Sequence, residues 1–336
     1  MRADTTFFAQ LIAGPIVHHK QMMPQFASLK NKLINYKNIA TGLFIFSIGL
    51  FKKVVIADSF AVWATNGFDV AASLNFFEAW ATSLSYTFQL YFDFSGYCDM
   101  AIGVALMLNI RLPINFNSPY RSLDIQEFWR RWHITLGKFL KDYVYIPLGG
   151  NRQGKARTYI NLMATFIIGG IWHGAGWTFV FWGFLHGLAL VVHRVWSGLG
   201  FKLNKIIAWI LTFNFVNFAW IFFRAKEWDD AIKVIKGMLG MSGGIILNSR
   251  LAEKVGFLRE WGVQFDVWNP HLVVDSNGTL TGFLIASFIV VLVFKSCEYW
   301  LQKFRANCKT LFVSFVFYVW AILNLTKHSE FLYFNF

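Results

Sequence analysis

The chain has 336 residues, of which 56% are hydrophobic, 19% aromatic and only 15% charged, and its mean hydropathy is +0.45. Ordinary soluble domains carry about 25% charged residues, so this composition excludes a pair of water-soluble domains and fits one all-α, polytopic bundle of membrane helices over residues 1–336. The net charge of +13 falls between apolar runs, as Lys and Arg do in cytoplasmic loops of membrane proteins, and no nucleic-acid module accompanies it.

Residues 7–26 (FFAQLIAGPIVHHKQMMPQF) are apolar but broken at Gly14-Pro15 and Pro24. Such a segment falls short of the roughly 20 uninterrupted residues that a span needs and reads as re-entrant or interfacial. Lys20, Lys30, Lys32 and Lys37 follow and mark a cytoplasmic side. Residues 39–57 form the first candidate span, with Lys52 and Lys53 snorkelling from near its end. Residues 76–110 are a longer apolar region in which Asp93 and Asp99 flank Ser95-Gly96. Either two short helices meet there with the acids at the break, or the acids line a wet cavity.

From Asp124 to Tyr143 the apolar residues Ile125, Phe128, Trp129, Trp132, Leu136, Phe139, Leu140 and Tyr143 recur with helical spacing. Asp124 and Glu127 are placed to cap the start. Arg130, Arg131, Lys138 and Lys141 take the opposite face, the pattern of one amphipathic helix lying in the headgroup plane. Residues 158–192 then contain no Asp, Glu, Lys or Arg. The run exceeds one crossing of about 30 Å, so Gly169-Gly170 and Gly174-Ala175-Gly176 are expected to break it and leave His173 at a junction. Further candidate spans cover 205–223, 280–294 and 308–325, with a weaker one at 231–247. Residues 248–277 read as an exposed loop with a short helix at its start. The total is about seven to nine membrane elements.

Three cysteines, Cys98, Cys297 and Cys308, show no metal-ligand spacing. Among the eight histidines, His18, His19, His271 and His328 lie in polar or terminal settings. His186 and His193 share a helix face. His173 and His186, thirteen apart, fall on largely opposite sides of a straight helix, which argues against a metal or haem pair. His133 sits on the apolar face one turn after Trp129, either as an interfacial histidine or as a functional one. His173 stands apart, because an ionisable residue inside a charge-free membrane run is a functional-site hypothesis. Gly174 beside it lets a substrate approach, and desolvation favours the uncharged imidazole, which accepts protons. On residues alone, Asp93, Asp99 and His173 also permit a small-solute transporter, and a non-catalytic scaffold is a further alternative.

The strings EFWRRWHITLGKFLKDYVYIPLGGNR and IWHGAGWTFVFWGFLHG resemble the membrane-bound O-acyltransferase (MBOAT) family, in its alginate O-acetylase-like bacterial branch. QLIAGPIV, YFDFSGYCDMAIGVALMLNIRLPINFNSPYRS and FLYFNF extend the resemblance over nearly the whole chain. It implies a tunnel through the membrane core, with the family's invariant histidine at His173 and a second family histidine at His133. It also implies transfer of an acetyl group from a cytoplasmic acyl thioester, such as acetyl-CoA, to a hydroxyl of an exported polysaccharide, alginate or a similar polymer. Periplasmic acetyltransferase partners and a place in the bacterial inner membrane go with that activity. No bound cofactor or metal is implied. Trp172 and Trp177 are expected to shape the tunnel, His133, Asp142 and Tyr143 to orient the donor, and Arg130, Arg131, Lys138 and Arg152 to attract its phosphates. Relatives of this branch carry further spans before QLIAGPIV, so the chain is expected to match their middle and C-terminal parts. They also commonly carry an arginine where this chain has His18-His19.

Overall fold

The computed structural model describes residues 14–242, 244–248, 256–266, 278–325 and 332. The front of the expected re-entrant segment, His271, His328 and nearly all of FLYFNF lie outside them. A short helix α1 (His19–Ala27) precedes α2 (Tyr36–Val70), which opens on Asn35, whose side chain accepts the Asn38 amide at 3.1 Å. α2 is one run of 35 residues with two wide-turn π stretches, Phe51–Ala57 and Asn66–Val70.

α3 (Phe76–Met107) is a single 32-residue helix, closed at its start by a reciprocal cap between Asn75 and Glu78. Its acids therefore mark no mid-region break. α2 and α3 touch backbone to backbone: a Cβ at Gly42 would meet the Gly103 carbonyl oxygen at 2.5 Å, and one at Gly96 the Gly49 oxygen at 2.8 Å. Small residues at such a contact are how membrane helices pack closely. The expected snorkelling does not occur. Lys52 turns inward to Asp99 at 2.6 Å, and Lys53 reaches Asp58 and Asp93 at 2.7 Å each. Pairing offsets the desolvation that drives a lone lysine towards water. Asp99 does border a crevice of about 540 Å3, but its walls are mostly apolar, among them Phe44, Ile48, Phe51 and Val290.

The expected amphipathic helix is two, α4 (Ile125–Arg131) and α5 (Ile134–Leu140), the second running on through a π stretch, Lys141–Tyr145. Residues 115–117 cause the break by bonding alongside it: the Asn117 amide donates to Arg131 O at 2.9 Å and the Ile134 amide to Asn115 O at 3.0 Å. The apolar face does not lie on lipid either, since Ile125, Phe128, Trp132, Leu136 and Leu140 are all buried in protein. Periodicity identifies residues that share a face, not what that face meets.

α6 (Gly154–His173) and α7 (Trp177–Gly198) form a helical hairpin. The expected break at 174–176 is present, whereas Gly169-Gly170 continue the helix. Gly170 is a contact point instead: a Cβ there would meet the Phe179 carbonyl oxygen at 2.3 Å, and one at Gly183 the Phe166 oxygen at 2.3 Å. α8 (Lys205–Arg224) follows, and then α9 (Trp228–Met238), whose 11 residues make the weak span at 231–247 too short to cross. Two short strands pair in parallel, β1 (Ile245–Asn248) at the end of that weak span and β2 (Val263–Asp266) in the region expected to be loop.

α10 (Thr279–Val293) and α11 (Cys297–Lys303) meet at a 50° bend. α12 (Cys308–Asn324) packs on α2 through Phe51 and Phe317, whose ring centroids are 4.5 Å apart. Among the described residues three helices, α2, α7 and α8, are long and apolar enough to cross a membrane, and the bent pair makes a fourth. The architecture is that of an integral membrane helical bundle.

Candidate functional site

His173 is the last residue of α6, and the chain reverses immediately after it. Gly174 makes the reversal possible, because a Cβ there would lie 2.6 Å from the Phe179 ring. The buried His173 ring packs edge-on against Trp182 at 5.3 Å and Phe223 at 5.0 Å. His133 approaches from the break between α4 and α5. It has a left-handed backbone with φ 41°, which costs a residue bearing a Cβ roughly 1–2 kcal/mol. A network around the fully buried Asn115 holds it there: His133 Nδ1 lies 3.0 Å from Asn115 Oδ1, and the Thr135 amide and hydroxyl donate to the same oxygen at 3.2 and 3.0 Å.

Both histidines line one small cavity of about 10 Å3, walled by Phe94, Trp129, Trp132, Trp182, Trp220 and Phe223. Its lining residues include no Asp, Glu, Lys or Arg, so the two imidazoles are its polar groups apart from indole N–H. Among the described residues the space is a narrow slot with room for about one water molecule. Phe223 also borders a second pocket of about 430 Å3, where Arg224 and Lys226 meet Asp69 at 2.6 and 3.5 Å. Phe223 is thus common to the slot and the larger polar space.

The other expected site residues are elsewhere. Trp172 touches the His173 ring edge-on at 4.9 Å but is 51% exposed, and Trp177 is 74% exposed; neither walls the slot. The hairpin turns their side chains outward while His173 points in. Arg130 is exposed, and Arg131 is engaged by Glu127 at 2.8 Å and Asn117 O at 3.2 Å. Asp142 is half-buried and Tyr143 exposed, with the Tyr143 ring tilted against Phe139 at 4.8 Å. Lys138 and Arg152 are on the surface.

Trp182, Trp220, Phe223 and Asn115 are site residues that the sequence analysis did not single out. In a chain with 19% aromatic residues, an indole in an apolar run carries no distinguishing mark. His186 is closer to the site than a straight helix allows: its ring lies 4.9 Å from Trp182, and its Nδ1 accepts from Trp129 Nε1 at 3.2 Å. The break after His173 removes the opposite-face relation. His193 lies apart, 3.6 Å from Asp124.

The bundle and its slot define a multi-pass membrane protein that brings two buried imidazoles from separate elements to one aromatic-walled space. The profile of the membrane-bound O-acyltransferase family matches residues 5–226, and the chain belongs to that family. It is 53% identical over 342 aligned residues to a peptidoglycan O-acetyltransferase of Helicobacter pylori, covering 98% of this chain and 63% of that protein. A probable alginate O-acetylase AlgI of Azotobacter vinelandii is 44% identical over 70% of this chain and 47% of its own length. A teichoic acid D-alanyltransferase of Streptococcus thermophilus is 30% identical over 59% of this chain and 51% of its own length. The chain thus spans about half to two thirds of the length of these relatives.

Proposed function

We propose that this chain carries the catalytic part of a membrane O-acyltransferase that acetylates an exported polysaccharide. The observation that carries the reading is the meeting of His133 and His173 in one slot whose lining holds no Asp, Glu, Lys or Arg. A free hydroxyl is a poor nucleophile, and a base positioned at it typically contributes 10²- to 10⁴-fold. In the proposed reaction His173 takes the proton of the acceptor hydroxyl as its oxygen attacks the carbonyl of an acyl thioester. A C–O bond forms, the C–S bond breaks, and the departing sulfur takes the proton back from the imidazolium. A slot of about 10 Å3 cannot contain these groups, so substrate entry requires movement of its aromatic walls.

The donor is acetyl-CoA or another acyl thioester on the cytoplasmic side of the inner membrane. Arg130, Lys138 and Arg152, all exposed, supply positive charge for its phosphates. The acceptor lies on the far side, and periplasmic acetyltransferases are the partners that complete the transfer. Greater identity and coverage favour peptidoglycan as acceptor over alginate, the first expectation.

The test is His173→Ala in the intact protein, in the bacterium that makes it, with O-acetyl groups on each isolated glycan quantified by mass spectrometry. One glycan is expected to lose its acetyl groups as fully as in a deletion strain, and that glycan is the acceptor. Acetylation unchanged from wild type on all of them contradicts the assignment.

A further inference from the structure

We infer that Asn115 is a positioning residue that holds His133 in its Nδ1-protonated form, so that Nε2 is the ring's acceptor nitrogen. The catalytic consequence rests on the acyl-transfer reading above; the tautomer assignment does not.

The argument starts from a group whose role admits no choice. The backbone amide of Thr135 can only donate, and it lies 3.2 Å from Asn115 Oδ1. The carbamoyl oxygen therefore faces Thr135, because the flipped side chain would set N–H against N–H. Its amide nitrogen lies on the other side, donating to Cys98 Sγ at 3.4 Å. The Thr135 hydroxyl agrees with this orientation. It accepts from the Ile16 amide at 3.1 Å and has its own proton to give to Asn115 Oδ1 at 3.0 Å.

With the oxygen fixed, His133 Nδ1 at 3.0 Å from it must carry a proton. One contact pulls the other way: the Leu136 amide lies 3.4 Å from the same nitrogen and would need it as an acceptor. That distance is outside the ordinary range of about 2.7–3.2 Å, so the shorter bond to Asn115 decides the tautomer. A neutral imidazole protonated at Nδ1 keeps its lone pair at Nε2. The backbone reinforces the arrangement, since the Ile134 amide donates to Asn115 O at 3.0 Å and fixes the turn that carries His133. His133 thus enters the chemistry on the hydroxyl side, as an acceptor, and not as a donor to the thioester carbonyl.

The test uses the intact protein with 15N-labelled histidine in lipid, the His133 signal being assigned by its loss in His133→Gln. Wild type is expected to show the pattern of a neutral ring protonated at Nδ1. Asn115→Leu removes the acceptor and should move the proton to Nε2, where the Leu136 amide can use Nδ1. Asn115→Asp keeps oxygens towards His133 and Thr135 and should retain the wild-type tautomer. Acetyl transfer should follow the same order, with kcat at least about tenfold lower in Asn115→Leu, KM for the donor little changed, and recovery in Asn115→Asp. A wild-type ring protonated at Nε2, or a tautomer unmoved by Asn115→Leu, overturns the assignment. If the tautomer moves as expected while neither Asn115→Leu nor His133→Ala affects transfer, the acyl-transfer role of His133 is what fails.

Discussion

Between α2 and α3, Lys52 meets Asp99 at 2.6 Å and Lys53 meets Asp58 and Asp93 at 2.7 Å. Around His133 and His173 the neighbours are aromatic rings and a small void, with no Asp, Glu, Lys or Arg among the lining residues. Both clusters are buried polar groups in a membrane protein, and by that criterion alone both are candidates for function. The difference lies in what faces them. In the first region two lysines pair with three aspartates and tie two helices together. The imidazoles of the second line a narrow aromatic-walled slot, which substrate groups enter in the proposed reaction only when its walls move.

That contrast can be broken by substitution. Lys53→Met removes the ammonium that bridges the buried Asp58 and Asp93 and should destabilise the bundle by about 3–5 kcal/mol, seen as a large drop in the unfolding midpoint in detergent. Loss of acetylation with no loss of stability would move Lys53 into the functional region. At the hairpin that carries His173, Gly170→Ala forces a Cβ onto the Phe179 carbonyl oxygen and should cost about 1–3 kcal/mol, with activity falling because the hairpin no longer closes. Replacing Lys52 and Asp99 together by Met and Leu removes both charges at once and should leave stability within about 1 kcal/mol of wild type or above it, with acetylation intact. Trp177→Ala should change stability by no more than about 0.5 kcal/mol and leave turnover unaltered, since the indole is 74% exposed and does not border the slot.

The legibility of the two regions in the sequence differs for physical reasons. Apolar runs revealed α2, α7, α8, α10 and α12 because length and hydropathy are local properties. The junction at His173 was legible from its glycines, of which Gly174 leaves no room for a side chain against the Phe179 ring. The ion pairs were not, because Lys52 and Asp99 are 47 positions apart and nothing local says that two helices meet there. The break at His133 was hidden for a similar reason: residues 115–117 impose it from outside the amphipathic pattern. Trp172 and Trp177 looked like walls of the site by sequence proximity, yet the hairpin sends them outward and recruits Trp182, Trp220 and Phe223 instead.

The central claim is that His133 and His173 act as one site. A double-mutant cycle in the intact protein tests it most directly, with acetyl transfer measured for His133→Ala, His173→Ala and the pair, alongside unfolding midpoints. Groups that act as a unit are strongly non-additive, so each single variant should lose at least about 10²-fold and the double should be little worse than the His173 variant, with the fold retained. Losses that multiply in the double variant, or full transfer by His173→Ala, would contradict the account.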